Sequence, residues 1–186
     1  MNKGFILFVL FSIVIAGCAK QEATQVVNKK ARKYLIEGTV FLKQGEARKA
    51  AESFATAIKM DPNDFEGYFM LGEMFLRLKQ YPQAGSVMTA AIRQFPDSGL
   101  AHYLLATSLE GMGQLVPAIV SARRSVELFN AKGDKEGTQR ALILLGALIS
   151  AAKEASEAQM VANSSQDAVK AVEENTVPVN VLESVK

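Results

Sequence analysis

Residues 50–62 read AAESFATAIKMDP, and residues 84–96 read AGSVMTAAIRQFP. Ala50, Phe54 and Ala57 align with Ala84, Met88 and Ala91, and Pro62 aligns with Pro96, at a fixed offset of 34 residues. Residues spaced by four and then three fall on one face of an α-helix. A proline just beyond such a run cannot extend it, because proline lacks an N–H and its ring clashes with the preceding turn. A recurrence of this length is the signature of stacked supersecondary units and takes precedence over other readings.

Working outward from this pair, the windows 31–64, 65–98 and 99–132 align. The fourth place holds Tyr34, Tyr68 and His102. The seventh and eighth hold Glu37-Gly38, Leu71-Gly72 and Leu105-Ala106, and the eleventh holds Phe41, Phe75 and Leu109. The twentieth holds Ala50, Ala84 and Ala118; the twenty-fourth, Phe54, Met88 and Ala122; the twenty-seventh, Ala57, Ala91 and Ser125. The first group lies on one face of one helix and the second on one face of another. Small residues at places eight, twenty and twenty-seven allow two helices to cross closely. Gly45, Lys79 and Gly113 fall at the turn between them, and Pro82 and Pro117 fall in the first turn of a second helix, where a missing N–H costs nothing. A single hairpin cannot bury its apolar face alone, so neighbours must stack.

These residues resemble the tetratricopeptide repeat. The resemblance covers residues 31–132 and departs from the family pattern at Glu37, His102, Ala122, Ser125 and Asn130, the last standing where a closing proline is expected. It implies an all-α fold, a short right-handed superhelical array of antiparallel helix hairpins that binds other proteins. Residues 133–174 are expected to form a degenerate fourth unit or capping helices: Leu145-Gly146 would be its Leu-Gly pair, displaced by six residues, with Ala158 and Ala162 in its second helix. Residues 175–186, which include Pro178, read as a disordered tail.

The start of the chain has a different character. Lys3 precedes an apolar stretch from Phe5 to Ala16, which ends in Gly17-Cys18. One positive charge before a short apolar core is the layout of a signal peptide, here residues 1–17. The stretch is shorter than the roughly 20 residues that span a bilayer core. Ile15-Ala16-Gly17-Cys18 resembles the lipobox of bacterial lipoproteins. That resemblance implies cleavage between Gly17 and Cys18 and acylation of Cys18, with palmitate a usual chain. Residues 18–30 would then be the lipidated cysteine and a tether. In a two-membrane host an Asp after the lipidated Cys favours the inner membrane, so Ala19 implies the outer membrane, facing the periplasm.

Composition excludes several classes of function. The 21 basic and 19 acidic residues form no block, so nothing recommends nucleic acid as a partner. One Cys and one His cannot build an internal disulfide or a four-ligand zinc site. No cofactor, metal or small-molecule substrate is expected. His102, the sole imidazole, stands where the repeat takes a core aromatic, so it reads as packing. No nucleophile motif surrounds the serines, and Glu66 and Glu73 read as surface charge, so no catalytic residue is assigned.

The expected function is a membrane-anchored adaptor that binds a peptide or helix segment of a protein partner, in envelope, pilus or secretin assembly. The alternative is a cell-envelope hydrolase or a regulator of cell-wall enzymes. By the tetratricopeptide resemblance, the first helix of each unit lines a concave groove, here through Leu35, Thr39, Leu42, Phe69, Glu73, Leu76, Arg77, Tyr103 and Thr107. Leu35 and Thr39 do not supply the Lys and Asn clamp with which some family members hold chaperone C-termini, so that kind of ligand is not expected.

Overall fold

The computed structural model describes residues 29–175, with side chains to residue 166. Residues 1–28, with the expected signal peptide, Gly17, Cys18 and most of the expected tether, and residues 176–186 lie outside the described residues. Among those described there are helices and turns and no strand. Helix α1 is described over residues 29–43. It is followed by α2 (Ala47–Met60), α3 (Phe65–Arg77), α4 (Tyr81–Gln94), α5 (Gly99–Gly111), α6 (Leu115–Ala131) and α7 (Lys135–Asn175). No described helix is long and apolar enough to cross a membrane.

Two kinds of turn alternate along the chain. The turns from α1 to α2, α3 to α4 and α5 to α6 each place one residue in the left-handed region: Gly45 (φ 77°), Lys79 (φ 56°) and Gly113 (φ 71°). All three share one hydrogen-bond pattern: Gly45 N–H reaches Leu42 O and Glu46 N–H reaches Phe41 O, Lys79 and Gln80 repeat it on Leu76 and Phe75, and Gly113 and Gln114 on Glu110 and Leu109. These bonds satisfy carbonyls that the ending helix leaves free. The turns from α2 to α3 and α4 to α5 carry Pro62 and Pro96 and end on side-chain caps. Asp64 accepts from Glu66 N–H at 3.0 Å, and Ser98 Oγ accepts from Ala101 N–H at 3.2 Å. The α6-to-α7 turn departs from this alternation. It has the Gly type, with Gly133 at φ 69°, and Asp134 caps α7. With no proline to stop it, α6 runs to 17 residues, against 14 in α2 and in α4.

The core is divided among the junctions. Leu35, Phe54, Leu71 and Met74 form one cluster. Tyr68, Met88, Ala91, Ala101 and Leu104 form a second, and Ala106, Ala118, Ala122 and Leu148 a third. Within a hairpin, places eight and twenty-four are reciprocal in size. An added Cβ on Gly38 would lie 2.6 Å from the Phe54 ring, and one on Gly72 2.3 Å from the Met88 methyl. In the third hairpin both places are alanine, Ala106 and Ala122, and both are fully buried. Between hairpins, places three, six and ten make the joint. Gly67 and Met74 are buried on α3, and Ala101, Leu104 and Ser108 on α5. On α1 the same places, Lys33, Ile36 and Val40, are exposed.

Helix α7 docks on α6 and touches α5. Ala141 and Leu148, which sit 40 residues beyond Ala101 and Ser108, are fully buried like them. The helix is unbroken over 41 residues, so Ala158 and Ala162 lie on the same helix as Leu145. From Lys153 to Gln166 every residue is exposed.

Candidate protein-binding face

The predicted groove residues come from three parallel first helices, α1, α3 and α5. Phe69 and Tyr103 occupy the same place on α3 and α5, and Leu42 and Leu76 the same place on α1 and α3. All four are half-buried, each with part of its apolar surface against the core and the rest facing out. Leu35 is a correction. It is 4% exposed and packs with Phe54, Leu71 and Met74, so it belongs to the core and not to an open face. Side chains from α2 and α3 enclose it, a consequence of stacking that one helix's pattern does not encode.

The polar members are already engaged within their own helices. Thr39 Oγ1 donates to Leu35 O at 2.8 Å, and Thr107 Oγ1 donates to Tyr103 O at 3.1 Å. Their hydroxyl protons are in use, so toward a partner they can only accept. Glu73 accepts from Arg77 at 2.8 Å, one helical turn apart. Arg77 keeps most of its side chain in solvent, so the pair fixes a direction for two charges more than it stabilises the fold. The resulting chemistry is an apolar row with one cation and one anion at its side.

Sequence reasoning missed one residue. Carrying the six-residue displacement onto α7 puts Ile143 at the place of Phe69 and Tyr103, and it is 66% exposed. The signal was present in the Leu145-Gly146 pair, which fixes the register of α7. The row therefore extends to a fourth first-type helix.

His102 is half-buried on α5, and burial pushes its pKa below the ordinary imidazole value. A hydrogen bond to the Pro96 carbonyl works in the opposite direction, and the Arg124 charge lowers the pKa further. Among the described residues no group of three His, Cys, Asp or Glu side chains could hold a metal ion. A depression of about 520 Å³ lies between α4 and α5, lined by Ser86, Thr89, Leu105 and Met112 among others, with Arg93 as its one charged residue. It contains none of the predicted groove residues.

Comparison with known proteins gives the fold. Residues 37–99 match a family model described as tetratricopeptide repeat. No curated protein matches the chain at a significant level. Solved structures do. A type III secretion complex from Aeromonas hydrophila superposes with a TM-score of 0.61 at 18% identity, covering 67% of this chain and 84% of that one. PcrH from Pseudomonas aeruginosa gives 0.59 at 18% identity, covering 65% and 92%. The TPR2B domain of yeast Sti1, in complex with an Hsp70 peptide, gives 0.60 at 18% identity, covering 66% and 98%. At these identities the likeness concerns architecture: the described residues form an all-helical array of tetratricopeptide-type hairpins.

Proposed function

We propose that this chain is a lipid-anchored adaptor that holds a peptide or helix of a protein partner against the face formed by α1, α3, α5 and α7. The observation that carries this reading is the half-buried row Leu42, Phe69, Leu76 and Tyr103, continued by exposed Ile143. Open apolar rows flanked by polar groups suit an amphipathic partner segment. Lipidation at Cys18 would supply the anchor, and a tether of about a dozen residues would keep the first hairpin within on the order of 20 Å of its attachment point. The outer membrane, facing the periplasm, is the compartment that Ala19 favours. The depression between α4 and α5 has Arg93 as its one charged residue and so holds no acid–base pair.

The face is tested by adding bulk where the fold tolerates it. Thr39→Arg and Thr107→Arg should abolish recovery of the partner in affinity purification from membranes. Ser86→Arg, exposed on α4 away from the row, should leave recovery unchanged. Equal recovery by all three variants would remove the face from consideration. The anchor is tested separately. Palmitate should label the wild-type chain and not Cys18→Ala; absence of label from the wild type overturns the anchor but not the face.

A further inference from the structure

Helix α7 has the surface of a hairpin's first helix, without a second helix beside it. In the earlier hairpins, place eight faces the following helix, which covers Gly38 with Phe54 and Gly72 with Met88, and places four and eleven flank that contact. The corresponding residues on α7 are Leu142, Gly146 and Ile149. Leu142 is 50% exposed and Ile149 45%, and an added Cβ on Gly146 would meet nothing within 4 Å.

The missing second helix is present in the chain's own sequence. Ala118, Ala122 and Ser125 are the buried places of α6. Forty residues on, the offset that relates Leu105 to Leu145, stand Ala158, Ala162 and Ser165. The same offset puts Lys153 at the place of Gly113, where α3–α4 already uses a lysine, Lys79, in the left-handed region. We propose that residues 155–166 fold back through a turn at residues 151–154 and cover Leu142, Gly146 and Ile149, closing a fourth hairpin. The straight α7 is then the open state of a two-state element.

Two physical features favour the fold-back. From Lys153 to Gln166 α7 is exposed on every side, so bonds within the helix, among them the Lys153–Glu157 pair at 3.8 Å, keep this stretch in line with the proximal half. An isolated helix of that length is marginal in water. A straight helix also turns Ala158, Ala162 and Ser165 to the side opposite Leu142 and Ile149, since nine residues are two and a half turns. Only a reversal of the chain brings the two faces together within one molecule, as it does in α1–α2.

A disulfide distinguishes the two states. Gly146 and Ala162 occupy the places that touch as Gly72 and Met88 in the second hairpin. In the straight helix they are about 24 Å apart along the axis, far beyond the ~7 Å Cα separation that a disulfide tolerates. Both are exposed, so Gly146→Cys with Ala162→Cys should not disturb the core. Mild oxidation of the full-length double variant should give a monomeric chain in which the tryptic peptides on either side of Lys153 are linked. The single variants and the wild type control for Cys18. Adding Lys153→Gly, which removes the left-handed penalty, should speed oxidation by about five-fold or more. A covalent dimer through these positions would show the face covered by a second copy. Two free thiols would show that α7 stays straight. Either result overturns the fold-back.

Discussion

The size reciprocity between places eight and twenty-four yields the sharpest stability prediction, Gly38→Ala. Gly38 lies within α1, so alanine should by itself favour the helix by about 1 kcal/mol. The new Cβ, however, would sit 2.6, 2.7 and 3.0 Å from three atoms of the Phe54 ring. Carbon atoms pack comfortably at about 3.5–4.0 Å, so the ring must move by nearly 1 Å. Phe54 is fully buried, leaving a flat, rigid group nowhere to turn. Overpacking costs about 1–3 kcal/mol; a buried ring that cannot turn puts Gly38→Ala in the upper part of that range, a net loss of about 1–2 kcal/mol once the helix gain is subtracted. Gly72→Ala meets chiefly the terminal methyl of Met88, which can rotate away, and should be near neutral. Urea denaturation followed by far-UV circular dichroism measures both. In a Phe54→Leu background the clash is relieved, and Gly38→Ala should become neutral or stabilising. A neutral or stabilising Gly38→Ala in the wild-type chain, or the same loss in both backgrounds, would refute the reciprocity.

Three further outcomes follow from the structure. Lys79 adopts φ 56° where two other turns use glycine, so Lys79→Gly should raise stability by about 0.5–1 kcal/mol in the same urea assay. Ser125 is fully buried and donates to Gly99 O at 2.8 Å, bridging α6 to the start of α5, so Ser125→Ala should cost about 1–2 kcal/mol by leaving that carbonyl unpaired. His102 has its pKa held below its ordinary 6.5, chiefly by burial, so the unfolded chain binds its proton first as pH falls. Its contribution is therefore complete above pH 6.5 and is lost as pH drops toward the folded value. His102→Phe should flatten the melting-temperature profile below pH 6.5, and an unchanged profile would show that His102 is not the group responsible.

The period, the hairpin turns and the buried small places were legible because each depends on residues close in sequence. Gly45 and Gly113 mark turns through their own backbone freedom, and Ala50, Ala84 and Ala118 mark crossings through their own size. The binding face was only half legible. Its register was readable, since Phe69 and Tyr103 repeat at the helical spacing, but exposure depends on what the neighbouring helices supply. Leu35 and Ile143 share a place in the pattern, yet one is core and the other is two-thirds exposed. The six-residue displacement is similarly opaque. Here it lengthens α6 and the start of α7 where a loop would have served as well, because Asn130 does not stop the helix as Pro62 and Pro96 do.

The two ends of a stacked array are therefore chemically different, and this follows from which face each terminal helix has left over. At α1 the unused face is the joint between hairpins, with Ile36 and Val40 exposed where Met74 and Ser108 are buried further along. At α7 the joint is complete, with Ala141 and Leu148 fully buried, and the unused face is the one inside a hairpin. A joint is covered by another hairpin, whereas a hairpin interior is covered by one helix with small residues at its crossing points. One helix is a smaller structural demand than a hairpin, and the chain carries a segment with small residues at the right spacing beyond Lys153. Of the two exposed ends, α7 is thus the one that the described part of the chain could close for itself.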